Sequence, residues 1–188
     1  MLVFILLLKR SNIMSSTIKV LIFFILSTYI NANTLKDLKT FQANFTQVIT
    51  NPSGKEIYYS GEINIKEPNS IKWKYEKPFE KLVFIKKYTV TIIEPELEQA
   101  IVTRLDKEIN ILTLIKTAKK IQANKYLSNF NNIDYYLYFD QELLTRITYE
   151  DELENKVVIS FTKVQQNISI ENSIFKFYIP VEYDLIKK

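Results

Sequence analysis

The sequence predicts an α+β fold that is mainly β, an antiparallel meander with one helix before it and one inside it. Three observations carry this. From Gly61 to Tyr75 the odd-numbered residues are mostly apolar and the even-numbered ones polar or proline. That is the period of half-buried strands, whose successive side chains point to opposite faces of a sheet. Apolar runs of strand length then recur at short intervals, too close for crossover helices, so neighbours should pair antiparallel. Finally, residues 109–121 break the alternation with apolar residues three and four apart, the period of a helix.

In chain order, residues 34–47 read as an amphipathic helix capped by Asn33 or Thr34, with Leu35, Leu38, Phe41 and Phe45 on one stripe. Asn51-Pro52-Ser53-Gly54 is a turn. Strands are expected at 56–66, 71–76, 81–86, 88–94 and 98–104. The first two form a hairpin across Lys66-Glu67-Pro68-Asn69-Ser70. Placing Ile65 opposite Ile71 sets Ile63 against Trp73 and Gly61 against Tyr75 on one apolar face, with Glu62 across from Lys74 on the other. Lys86-Lys87 is a poor two-residue turn, since such turns favour Asn, Asp or Gly at positive φ. After the helix at 109–121, which carries Ile111, Leu112, Leu114, Ile115 and Ala118, strands resume at 133–139, 143–149, 157–161, 164–171 and 174–180. The sequence contains no internal repeat and no low-complexity tract.

The N-terminus reads as a leader. Lys19 precedes an apolar centre from Val20 to Leu26, and Ile30-Asn31-Ala32 is a plausible cleavage site. That run is shorter than the roughly 20 apolar residues of a spanning helix. Met14 makes a better start than Met1, so residues 1–13 are read as an upstream extension or misassigned start, 14–32 as the signal peptide and 33–188 as one domain. The leader holds Lys9, Arg10 and Lys19 and no acid. Its removal turns 25 basic residues into 22 against 21 acidic ones, and the net charge from +4 to +1. The basic character therefore lies largely in the leader, and nucleic-acid binding loses its support.

The chain contains no cysteine and no histidine and only two glycines. This excludes disulfides, thiol catalysis, histidine triads, the usual zinc sites, glycine-rich phosphate loops and lipid attachment at a cleavage-site cysteine. Two acidic clusters remain for chemistry, Glu94/Glu96/Glu98 and Glu150-Asp151-Glu152. Paired carboxylates serve glycoside hydrolysis or calcium binding. The second cluster reads as a solvated hairpin tip, neither has calcium-loop spacing, and no hydroxyl has an activating partner, so an enzyme is not expected. No cofactor is expected either. With 12 Tyr and 12 Phe, many at alternating positions, the apolar face suits either a packed core or a greasy ligand.

Five segments narrow the choice. They are Phe41-Gln42-Ala43-Asn44-Phe45-Thr46-Gln47; Gly61; Lys66-Glu67-Pro68-Asn69 followed by Trp73-Lys74-Tyr75 and Pro78; Pro95-Glu96-Leu97-Glu98-Gln99-Ala100; and Phe175, Phe177 and Pro180 with Asp184. In this order the chain resembles the outer-membrane lipoprotein carrier (LolA-like) family over most of residues 35–186. The resemblance implies an incomplete (half) antiparallel β-barrel of about eleven strands, with helices covering an apolar concavity left open for cargo. It implies a non-enzymatic periplasmic chaperone that takes acylated lipoproteins from an inner-membrane ABC-type releasing complex to an outer-membrane acceptor. A lipoprotein-sensing regulatory domain of the same fold is the alternative, and a monomer is expected. Strand parity and the resemblance together nominate Ile63, Ile65, Ile71 and Trp73 as one wall of the acyl-chain site, Val90 and Ile92 as another, and Ile111, Leu112 and Ile115 as the lid. One departure stands out. Where the family commonly has an arginine that holds the lid helix, this chain has Glu67, which cannot donate to helix carbonyls. Either Lys66 substitutes or the lid is held differently.

Overall fold

The computed structural model describes residues 37–105 and 111–188, all within the unit Thr34–Lys188. The leader, its cleavage site, the first residues of the expected N-terminal helix and residues 106–110 lie outside the described residues. Among the described residues are twelve strands: β1 (Thr40–Thr50), β2 (Glu56–Lys66), β3 (Ser70–Lys77), β4 (Lys81–Lys86), β5 (Thr89–Glu94), β6 (Gln99–Arg104), β7 (Lys119–Gln122), β8 (Lys125–Phe130), β9 (Ile133–Asp140), β10 (Leu143–Glu150), β11 (Lys156–Gln166) and β12 (Asp184–Lys187). The described residues also hold one α-helix, α1 (Ile111–Thr117), which precedes β7.

The strands form a single sheet in the order β12-β6-β5-β4-β3-β2-β1-β11-β10-β9-β8-β7. Two meanders, β2 to β6 and β7 to β11, meet on β1, which pairs with β2 on one side and β11 on the other. Every pairing is antiparallel except β12 on β6. The edge strands β12 and β7 do not pair with each other, so the sheet stays open as a half-barrel. The hairpin register read from alternation is the one observed: Ile65 opposite Ile71, Ile63 opposite Trp73, Gly61 opposite Tyr75 and Glu62 opposite Lys74. Gly61 sits at a register irregularity, and a Cβ there would lie 1.9 Å from the Lys74 carbonyl oxygen. Only glycine lets the strands approach so closely.

Three expectations need correction. Residues 40–47 are not helical; they belong to β1, with Phe41, Ala43, Phe45 and Gln47 buried at alternate positions. Their spacing misleads because Phe41 and Phe45, four apart, share a face in a helix and in a strand alike. The second helix ends at Thr117, and residues expected to continue it form β7, while β8 was not anticipated at all. The C-terminal strands expected at 164–171 and 174–180 are likewise absent as such. Residues up to Gln166 extend β11, Asn172–Phe175 is a 3-10 turn, and residues 176–180 carry no ladder partner before a turn, closed by Tyr183 N–H donating to Pro180 O, leads into β12.

Cross-strand partners share a face, so the pairings sort the apolar residues into two sets. The larger set fills the concave face and packs with α1: Phe41, Phe45, Ile63, Ile65, Ile71, Leu137, Ile147, Ile159 and Phe161 join Ile111, Leu112, Leu114 and Ile115 in one cluster. The smaller set, Phe84, Ile93 and Ala100, lies on the opposite face. There the C-terminal segment crosses the sheet as a strap. Ile179 and Tyr183 pack on that cluster, and the Phe177 ring lies 4.7 Å from that of Phe84. Lys66 Nζ donates to Ile170 O at 2.6 Å and to Asn172 Oδ1 at 2.8 Å, pinning the start of the strap.

Candidate functional site

Two rows of side chains run across the concave wall from β1 to β6. One is Ala43, Ile63, Trp73, Val83, Ile92 and Ile101; the other is Phe41, Ile65, Ile71, Ile85, Val90 and Thr103. All six nominated strand residues (Ile63, Ile65, Ile71, Trp73, Val90, Ile92) therefore lie in these rows. The choice of Ile92 over its neighbour follows from register, because Ile93 pairs with Leu82 and Ala100 on the strap side. The three nominated lid residues, Ile111, Leu112 and Ile115, are buried on α1 beside Leu114.

The structure brings most of this set into direct packing. Ile63, Ile65, Ile71, Ile111, Leu112 and Ile115 are buried in one cluster, and Trp73 packs against it half-buried. The wall beneath α1 is thus filled by the protein's own side chains, where the resemblance implied a concavity left open. Farther from the helix the lining is looser: Trp73, Val83, Ile92 and Ile101 are only half-buried, although Val90 is buried.

Sequence reasoning missed the aromatic floor contributed by β1, because those residues were assigned to a helix. The Phe45 ring meets Trp73 edge-on at 5.1 Å and Tyr75 at 5.2 Å, and Trp73 and Tyr75 stack at 6.0 Å. The signal was present as alternation of Phe41, Ala43, Phe45 and Gln47. Burial pushes the Tyr75 hydroxyl well above the usual phenol range, and it raises that of Tyr149 to about 12. Trp73 Nε1 is buried with no acceptor among the described residues, a donor set inside an apolar wall.

The helix is anchored at its last turn. Lys116 Nζ forms an ion pair with Glu67 Oε1 on the β2–β3 turn. The Thr117 hydroxyl lies 2.7 Å from that of Ser128 on β8, and it also donates to Thr113 O at 2.9 Å. Glu67 is therefore the acceptor of a latch whose cation sits on the helix. Lys66 does not substitute for the missing arginine, since its ammonium holds the strap.

The acidic clusters have local tasks. Glu94 Oε2 accepts from Gln99 Nε2 at 2.5 Å across the β5–β6 connection, while Glu96 and Glu98 face solvent. The Asp151 carboxylate accepts from the backbone N–H groups of Leu153 and Asn155 and from Asn155 Nδ2, each at 2.9 Å. Those bonds to Asn155 and Leu153 hold its carboxyl below the usual range. Among the described residues no group of three acidic side chains is arranged to hold a metal ion.

An open, largely antiparallel half-barrel with an apolar concave face and a short helix laid against it defines the class: a helix-covered half-barrel. The chain belongs to the LolA family, for residues 36–131 match the model described as outer membrane lipoprotein carrier protein LolA. Relatives support this over nearly the whole chain. The outer-membrane lipoprotein carrier protein of Campylobacter jejuni is 35% identical over 167 residues, covering 89% of this chain and 97% of its own. That of Helicobacter pylori is 33% identical over 143 residues, 76% of this chain and 77% of its own. That of Wolinella succinogenes is 32% identical over 154 residues, 81% of this chain and 90% of its own.

Proposed function

We propose that this protein is a periplasmic lipoprotein carrier, with no catalytic step, that shelters acyl chains against the concave wall. The carrying observation is the apolar wall covered by α1 and latched through Glu67 and Lys116. Membership of the lipoprotein carrier family supports it. In this reading the residues before Ala32 direct export and are removed near that position. An inner-membrane ABC-type complex loads the carrier and an outer-membrane acceptor empties it.

The energetics fit such a role. Acyl chains are worth roughly 0.8 kcal/mol per buried methylene, so lipoproteins do not cross water unaided. A carrier must nonetheless release them, and non-covalent affinity saturates near about −18 to −21 kcal/mol. A wall already filled by Ile111, Leu112, Leu114 and Ile115 meets both demands. Cargo displaces the helix on entry, and the helix competes with cargo on exit, so closure lowers the apparent affinity without removing apolar surface. Ile63, Ile65, Ile71, Trp73, Val90 and Ile92 then line the chains, and Ile111, Leu112 and Ile115 move with the lid.

The test compares an acylated lipoprotein with the same polypeptide lacking its acyl chains, each incubated with the purified protein and resolved by size-exclusion chromatography. A soluble complex with the acylated form alone is expected, and Ile92→Glu abolishes it. Equal binding of both forms would overturn the reading.

A further inference from the structure

The charge of the domain is divided between the two rims of the sheet. One rim carries the β1–β2, β3–β4, β5–β6 and β10–β11 connections, where Glu80, Glu94, Glu96, Glu98, Glu152 and Glu154 outnumber Lys55, Lys77, Lys81 and Lys156. The other carries the β2–β3, β4–β5, β7–β8 and β9–β10 connections, with Asp140 and Glu142 at the last of these and its basic residues gathered at the first two. There a groove of about 950 Å³ is lined by Lys66, Lys86, Lys87, Arg104 and Lys176, with Glu67 the one acid among the described lining residues, over Phe84, Phe175 and Phe177. Lys66 is committed to the strap, whereas Lys86, Lys87, Arg104 and Lys176 are exposed and in no ion pair with a described residue. Beside them Tyr88, Phe177 and Tyr178 expose their rings.

The β4–β5 turn lies at this rim. Lys86 pairs with Thr89, so the two turn residues are Lys87 and Tyr88 and not the expected Lys86 and Lys87, and Lys87 has φ 56°. An asparagine or glycine would take that left-handed conformation at less cost.

We propose that this rim is a docking surface for an anionic phospholipid membrane. Cations gather at such surfaces, and aromatic rings settle at the headgroup level. The division of charge between opposite rims favours an extended charged plane over a short acidic peptide, because a plane orients the whole domain with the basic rim facing it. The opposite rim also exposes Phe79, Leu97 and Leu153, but its carboxylates would be repelled by the same membrane. The proposal goes beyond the carrier reading and stands without it. Its consequence for a carrier is that the Glu67–Lys116 latch, whose acid lines the same groove, would be held against the bilayer.

The experiment is co-sedimentation of the purified protein with vesicles of phosphatidylcholine alone or mixed equally with phosphatidylglycerol. Pelleting is expected with the mixed vesicles only, and raised salt should release the protein. Each basic residue near such a surface contributes roughly fivefold in affinity, so Lys86→Glu with Lys87→Glu should weaken pelleting by at least about twentyfold. Both side chains are exposed, and an unchanged thermal melt verifies folding. Lys87→Gly should weaken pelleting roughly fivefold while raising the melting temperature. Equal pelleting with neutral vesicles, or an unaffected double variant, would overturn the proposal. So would binding of a poly-glutamate peptide without vesicle binding, which would assign the groove to an acidic protein segment. Acylated lipoprotein added in solution keeps the two readings apart: the double variant should still bind it, and a failure there in both proteins would strike the carrier reading alone.

Discussion

Glu67 and Lys116 form an ion pair that joins the β2–β3 turn to the last turn of α1. The acid stands where the resemblance led us to expect an arginine, and the cation of the pair lies on the helix. The turn and the helix are thus joined by a charge pair, where the resemblance implied donation to helix carbonyls.

Removing one partner should loosen the lid. Both side chains are about a third exposed, and such a pair is worth about 0.2–1 kcal/mol. Glu67→Gln is therefore expected to raise affinity for a fluorescent fatty-acid probe by up to about fivefold, as is high salt on the native protein. Exchanging the charges, Glu67→Lys with Lys116→Glu, should return affinity toward the original value. An effect of Glu67→Gln that survives the exchange would mean the pair does not hold the helix.

Ile92 and Ile93 provide a contrast between neighbours. Ile92→Glu places a carboxylate on the half-buried concave wall and should abolish acyl binding with a small loss of stability. Ile93→Glu buries charge in the cluster beneath the strap and should destabilise by about 3 kcal/mol or more. Thermal melts beside probe binding distinguish them: the first variant loses binding at a near-native melting temperature, and the second loses stability first.

Gly61→Ala tests the close approach of β2 and β3. Its methyl would lie 1.9 Å from the Lys74 carbonyl oxygen, a backbone atom that cannot rotate away. The expected cost is about 1–3 kcal/mol, read by urea denaturation.

The buried phenols set an alkaline limit. In the unfolded chain both tyrosines ionise near the ordinary value of 10.0, whereas burial raises Tyr149 to about 12 and Tyr75 further. The unfolded state therefore releases protons first as pH rises. Stability is full below pH 10.0 and declines toward pH 12 and above. The melting temperature should fall across that window, and Tyr149→Phe should reduce the fall.

The legible parts of this chain were those where one period had no rival. Residues 61–75 alternate strictly, so alternation alone supplied their register and the shared face of Ile63, Ile65, Ile71 and Trp73. Residues 40–47 failed because Phe41 and Phe45 satisfy both periods, and the polar residues between them did not discriminate. β7 failed because all four residues of Lys119–Gln122 are exposed, leaving no buried face to mark it. In the C-terminal strap the alternation of Phe175, Phe177 and Ile179 was real but recorded one-sided packing onto the sheet, which needs no hydrogen-bonded neighbour. The latch was illegible because Glu67 and Lys116 are 49 residues apart, and no local pattern relates them.

The central position of β1 has a consequence for how the chain comes into being. Its two neighbours are β2, the next strand made, and β11, which follows more than a hundred residues later. Until β11 is complete, one side of β1 presents unpaired amides and carbonyls beside greasy residues, a template for wrong partners. Acquisition of the native state should therefore be slow and late, and a truncated product ending before β11 should be prone to aggregate.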